Sequence, residues 1–148
     1  MDLMAEQQNH EWYSSLPGRG AVYDLTSTAM SGPSPEGRLR AVIMLGKSDD
    51  PRAVRPLMDL LGDRDRAIRG AAAIALGQLK SGRSVEVLLE RLRDRNEDAE
   101  IRNLAIMALA AIRSTGALRG LREFIAETGE DPALRSSAGE HLSRLGTW

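Results

Sequence analysis

The chain has 148 residues, with 20 Lys and Arg against 21 Asp and Glu, a net charge of −1 and no cysteine. That length suffices for one compact domain with a core, and the charge balance lacks the cationic excess of a general nucleic-acid or membrane-surface binder. The missing cysteine excludes disulfides, thiolate metal sites and cysteine nucleophiles within this sequence.

The first twenty residues, MDLMAEQQNHEWYSSLPGRG, carry no apolar signal core and no basic flank. No apolar run approaches the ~20 residues of a membrane helix. The expectation is a cytoplasmic protein with no membrane partner. Residues 1–20 read as a tail or cap. Aromatics are scarce in this chain, yet Trp12, Tyr13 and Tyr23 cluster here, and Pro17, Gly18 and Gly20 interrupt any helix. These aromatics either cover the end of the fold or bind a partner. Trp148 raises the same question at the other end.

From residue 21 onward the sequence repeats itself. A faint helix over 21–30 precedes a clear one over 34–47. Helices over 50–63, 81–94 and 114–127 alternate with others over 65–80, 98–113 and 131–146. The first three of these six share apolar positions at i, i+3 and i+7: Val54, Leu57 and Leu61; Val85, Leu88 and Leu92; Leu118, Leu121 and Ile125. In the second helix of each pair, an N-cap residue (Ser34, Asp65, Asp98, Asp131) precedes an arginine at Arg38, Arg69, Arg102 and Arg135. The arginines follow one another by 31, 33 and 33 residues. Each is followed by an alanine three residues on (Ala41, Ala72, Ala105, Ala138) and a leucine seven on (Leu45, Leu76, Leu109, Leu142). Pairs of short helices that cannot bury their own apolar faces must stack. The pattern predicts an all-α fold: a short right-handed α-solenoid, or superhelix, of about four helix pairs. The repeats fall at approximately 21–47, 50–80, 81–113 and 114–146, forming one domain over 21–148.

An arginine recurring in register in every unit points to the stack rather than to one ligand. Arg38, Arg69, Arg102 and Arg135, with Asp65, Asp98 and Asp131, are expected to form a structural ladder reaching turn carboxylates or carbonyls. At the end of the chain, Ile43, Ile74 and Met107 give way to Glu140. Met44, Ala75 and Ala108 give way to His141, and Leu104 to Ser137. This reads as a polar cap where no further repeat follows.

The stretch DPRAVRPLMDLLGDRDRAIRGAAAIALGQLK (50–80) resembles a HEAT-type repeat of the PBS-lyase-like class: an opening Asp-Pro, a Val-x-x-Leu helix, an Asp-containing turn, then Ile-Arg followed by Ala-Ala-x-Ala-Leu-Gly. Residues 81–113 and 114–146 keep the core positions but lose the terminal Ala-Leu-Gly, and 34–47 match as a lone second helix. The resemblance implies about four HEAT-like helix pairs whose second helices line a concave side. It implies no particular function, because fold does not imply function.

No catalytic signature accompanies the repeat. HEAT-repeat enzymes that hold two irons use His-Glu pairs at repeated helix starts. The corresponding pairs here are Gly70-Ala71, Asn103-Leu104 and Ser136-Ser137, and His10-Glu11 lies outside the repeats. No metal, cofactor or catalytic residue is therefore expected. The charge run 90–102 reads as a solvated turn. What remains is a non-enzymatic interaction or scaffold module that binds an unidentified protein partner, a peptide or helix, on the concave face. The candidate contact residues are Leu39, Val42, Gly70, Ala73, Gly77, Asn103, Ile106 and Ala110. The alternative is a bilin-lyase-like subunit or accessory factor, and nucleic-acid binding ranks last.

Overall fold

The computed structural model describes residues 19–146. Among them are eight α-helices and no strand: α1 (Arg19–Ser31), α2 (Pro35–Lys47), α3 (Val54–Leu60), α4 (Arg66–Leu79), α5 (Val85–Arg93), α6 (Ala99–Ile112), α7 (Thr115–Ala126) and α8 (Pro132–Arg144). They form four pairs stacked in sequence. The second helices α2, α4, α6 and α8 lie side by side in one layer, and α1, α3, α5 and α7 form the other. The chain is thus an all-α solenoid.

Local chemistry sets the boundaries. Ser34, Asp65 and Asp131 accept hydrogen bonds from first-turn N–H groups at Gly37, Ala67 and Ala133, respectively. Pro35 and Pro132 sit at the first helical turn, where no N–H is needed. Asp98 departs from the expected pattern and makes no side-chain cap. Its carboxylate is drawn instead to Arg66 of the preceding repeat, Nε to Oδ2 at 2.8 Å. Lys80 and Arg113 take left-handed backbone conformations that end α4 and α6 and turn the chain toward the next pair.

The core is one continuous seam. Leu57, Leu88, Leu121 and Phe124 of the first layer meet Leu45, Ile68, Leu76, Ile106, Leu109 and Leu142 of the second, all essentially without solvent contact. Within the second layer the helices pack nearly backbone to backbone. A Cβ on Gly46 would lie 2.7 Å from Ala75 Cβ, and one on Gly77 would lie 2.9 Å from Ala108 Cα. At the last junction the equivalent pair is Ala110 and His141, both larger, and α6 and α8 meet more loosely.

This geometry revises the reading of the polar cap. Ile43, Ile74 and Met107 are each more than 40% exposed. Their position does not pack between repeats in any unit, so Glu140 at the same position marks no lost neighbour. Ala75 and Ala108 are buried by the preceding repeat, not the following one.

Candidate functional site: a ladder and a concave groove

The arginines hold the pairs together by a repeated arrangement. Arg38 Nε donates to the Ala29 carbonyl at 2.9 Å, and its terminal nitrogens reach Asp63 in the next repeat. Arg69 donates to the Asp63 carbonyl at 2.8 Å and grips Glu97 of the next repeat with Nε and Nη2, at 2.9 and 3.0 Å. Arg102 donates to the Leu92 carbonyl at 2.7 Å and to Glu130 at 2.7 Å. Arg135 donates to the Ile125 carbonyl at 2.8 Å and meets no carboxylate among the described residues.

The carboxylates of the ladder are therefore Asp63, Glu97 and Glu130. They are not the expected Asp65, Asp98 and Asp131, which lie at the helix starts. Each ladder acid also accepts a backbone N–H from its own turn: Asp65, Asp98 and Asp131, respectively. Burial works to raise the Glu97 carboxyl, but Arg69, the Asp98 N–H and Arg91 outweigh it and hold it below the usual range. Glu130 is lowered in the same way by Arg102, the Asp131 N–H and Arg95 against its burial. Asp63 is lowered by Arg38, the Asp65 N–H and Arg64 against its burial. Glu97 in turn raises Arg69.

The surface with room for a ligand lies on the second-helix layer. Leu39 and Ile43 of α2, Gly70 and Ile74 of α4, and Ile101 and Leu104 of α6 enclose an apolar groove of about 390 Å³. A second hollow of about 280 Å³, lined by Gly77, Met107 and Ala108, adjoins it across Ile74 and Leu104. Small residues at Ala67, Gly70 and Ala71 leave the main groove's floor open, Ile43 and Ile74 stand at its walls, and Met107 lines the adjoining hollow. Arg66 and Glu100 close one end with an ion pair at 3.2 Å, and Gln78 stands at the other.

Of the expected contact residues, Leu39 and Gly70 line the main groove and Gly77 the adjoining hollow. Val42, Ala73 and Ile106 are fully buried in the core, and Ala110 nearly so. Asn103 is half-buried and accepts a hydrogen bond from Ser137 at 2.6 Å. The exposed apolar face is set one residue further along the helix, with Ile43 and Ile74 on the main groove and Met107 on the adjoining hollow. Sequence could have revealed it, since only this position stays large and apolar through three repeats without serving the alanine-leucine core. Trp12, Tyr13 and Trp148 lie outside the described residues.

Among the described residues no group of three His, Cys, Asp or Glu side chains is placed to hold a metal ion. No described helix is long and apolar enough to cross a membrane.

A family model described as HEAT repeats matches residues 23–98, just over half of the chain. No curated protein matches the sequence. Among solved structures, human deoxyhypusine hydroxylase in complex with glycerol is similar with a TM-score of 0.74 and 24% identity, over 86% of this chain and 44% of that one. The chain thus spans less than half the length of that enzyme, and the likeness is one of fold. It nevertheless overturns the expectation of a non-enzymatic scaffold module. A stack of the same fold carries an enzyme, so the repeat architecture gives no ground for setting catalysis aside. The iron-binding arrangement that the His-Glu pairs of such enzymes represent does not fit here, because Gly70-Ala71, Asn103-Leu104 and Ser136-Ser137 offer no metal ligand. The matched repeats and the stacked helix pairs agree: the chain belongs to the HEAT-repeat family.

Proposed function

We propose that the chain is a substrate-holding part of a HEAT-repeat enzyme, which grips an apolar group of its substrate in the concave groove. The observation that carries this is the groove itself. Ile43 and Ile74 stay substantially exposed around an open floor of glycine and alanine, and Met107 is exposed beside the adjoining hollow. An apolar concavity with few polar groups is the usual form of a ligand site. The likeness in fold to an enzyme supports placing that site beside catalysis, with the reacting groups supplied from outside the described residues. Gln78 at one end, and Arg66 with Glu100 at the other, are the polar groups available to orient a ligand. The Asp-Pro to Ala-Leu-Gly pattern of residues 50–80 supports assigning the repeats to the PBS-lyase-like class.

The test is a titration with the neutral apolar fluorophore N-phenyl-1-naphthylamine. Ile74→Glu is expected to weaken binding at least tenfold, and Ala67→Trp, which fills the groove floor from an exposed position, to do the same. Unchanged binding in both variants would remove the groove as the site.

A further inference from the structure

The arginine ladder has three filled rungs and one open rung. Arg38, Arg69 and Arg102 each bond a backbone carbonyl of their own pair or its turn and a carboxylate from the turn of the next repeat. Arg135 keeps the first half of this arrangement. Its Nε donates to the Ile125 carbonyl at 2.8 Å, the bond that Arg38 and Arg102 make from the same nitrogen. Its terminal nitrogens meet no acceptor among the described residues, and the side chain is only half-buried.

The surface around Arg135 is built like an inner junction. On α7, Leu118 and Ile125 are partly open, whereas the equivalent Val54, Val85, Leu61 and Leu92 of the inner pairs are buried. On α8, Ser136 and Ser143 are exposed. They stand where Gly70 and Gly77 of α4 meet Leu104 and Ala108 of the next repeat. Small side chains at these places leave room for another helix.

The filled rungs show what the open one accepts. A guanidinium held through one nitrogen presents its remaining N–H groups to a planar carboxylate. At each inner junction that carboxylate is Asp63, Glu97 or Glu130, one or two residues before the N-cap of a second helix. A second copy of this chain does not supply it. Its three ladder acids are already engaged, and the turn before Ser34 in its first pair is Gly32-Pro33. Its first-repeat edge presents the exposed Arg40 and Lys47, which have the same sign as Arg135.

We propose that the edge formed by α7 and α8 docks a helix pair of a partner protein, which presents an Asp or Glu of its turn to Arg135. The partner extends the stack as each inner repeat does, covering Leu118 and Ile125. This edge is separate from the concave groove, so docking stands or falls independently of the proposed function.

The probe is a fluorescently labelled peptide of residues 81–113, the helix pair whose Glu97 fills the Arg69 rung in the intact chain. It is titrated with the full chain and followed by anisotropy, and saturable binding is expected. Arg135→Gln in the chain should weaken binding at least tenfold, and Glu97→Gln in the peptide should do the same. The two changes together should weaken it no further than either alone, because both remove one contact. Ser143→Trp blocks the seat from an exposed position and should also cost at least tenfold. Ala67→Trp, in the groove, should leave binding unchanged. Far-UV circular dichroism should show the variants folded, since Arg135 makes one internal bond and the other two positions are exposed or half-buried at the surface. Absence of saturable binding, equal binding by Arg135→Gln, losses that multiply when the two changes are combined, or a loss with Ala67→Trp would each overturn the proposal. Light scattering that shows the parent chain paired with a second copy through Arg135 would overturn it as well.

Discussion

Removing the ladder arginines one at a time should produce unequal losses, and the inequality follows from the contacts. Arg69 makes a two-pronged bond to Glu97 and a further bond to the Asp63 carbonyl. The Glu97 side chain is 3% exposed, so Arg69→Ala strands most of a buried charge. Breaking such a pair costs about 3–5 kcal/mol when nothing compensates. Here Arg91 remains at 3.2 Å and the Asp98 N–H at 2.9 Å, which places the loss nearer ~2–3 kcal/mol, the scale of hydrogen bonds to a charged group. Arg102→Ala should cost slightly more, about 3–4 kcal/mol, because Glu130 keeps only a longer bond from the Asp131 N–H at 3.3 Å and Arg95, whose own side chain is mostly exposed. Arg135→Ala removes one bond to the Ile125 carbonyl and no ion pair. Its cost should be about 0.5–1.5 kcal/mol. Urea unfolding at pH 7 measures the series through the midpoint, with the slope unchanged. Arg69→Lys should recover little, since an ammonium cannot reproduce the two-pronged bond. Equal losses at Arg69 and Arg135 would refute the reasoning, because they would show that the turn carboxylates contribute nothing.

The same carboxylates set the response to acid. Asp63, Glu97 and Glu130 are held below their ordinary values in the folded chain. Their contribution is complete above the unfolded values of about 4 and is lost as pH falls through the lower folded values. Stability should therefore be flat from neutral pH to about 5 and drop steeply below about 4, and Glu97→Gln should flatten that drop when melting is followed against pH. Gly77→Val places a side chain against the Ala108 backbone and should cost about 1–3 kcal/mol, whereas Gly82→Ala, with nothing within 4 Å, should change melting by less than about 0.5 kcal/mol.

Much of the architecture is written locally. The N-caps at Ser34, Asp65 and Asp131, the recurring arginines and the alanine-leucine core each impose a short-range requirement that shows in the residues themselves. Two features depend on the junction between repeats and were harder to read. Smallness at Gly70, Ala73 and Gly77 fits either an open groove or a close helix contact. The structure uses Gly77 for close contact with Ala108, Ala73 for the core and Gly70 for both. The ladder acids were also displaced in the sequence reading. Asp65, Asp98 and Asp131 stand out as caps, whereas the partners of the arginines are the less regular Asp63, Glu97 and Glu130 one or two residues earlier. Their spacing varies because the turns differ in length, so register alone did not reveal them. Nor did the residues at the matched pair positions, Gly70-Ala71, Asn103-Leu104 and Ser136-Ser137, settle the question of enzyme or scaffold, since catalysis is not a property of the fold.

The central claim is that stability resides in the arginine ladder and ligand binding in the groove. N-phenyl-1-naphthylamine titration and urea unfolding of Ile74→Glu and Arg69→Ala, measured side by side, test it most directly. Ile74→Glu should lose at least tenfold in binding and shift stability by no more than about 0.5 kcal/mol, as expected for an exposed position. Arg69→Ala should lose about 2–3 kcal/mol of stability and bind the fluorophore unchanged well below its melting temperature. Binding that survives Ile74→Glu, or that disappears with Arg69→Ala in the still-folded chain, would contradict the account.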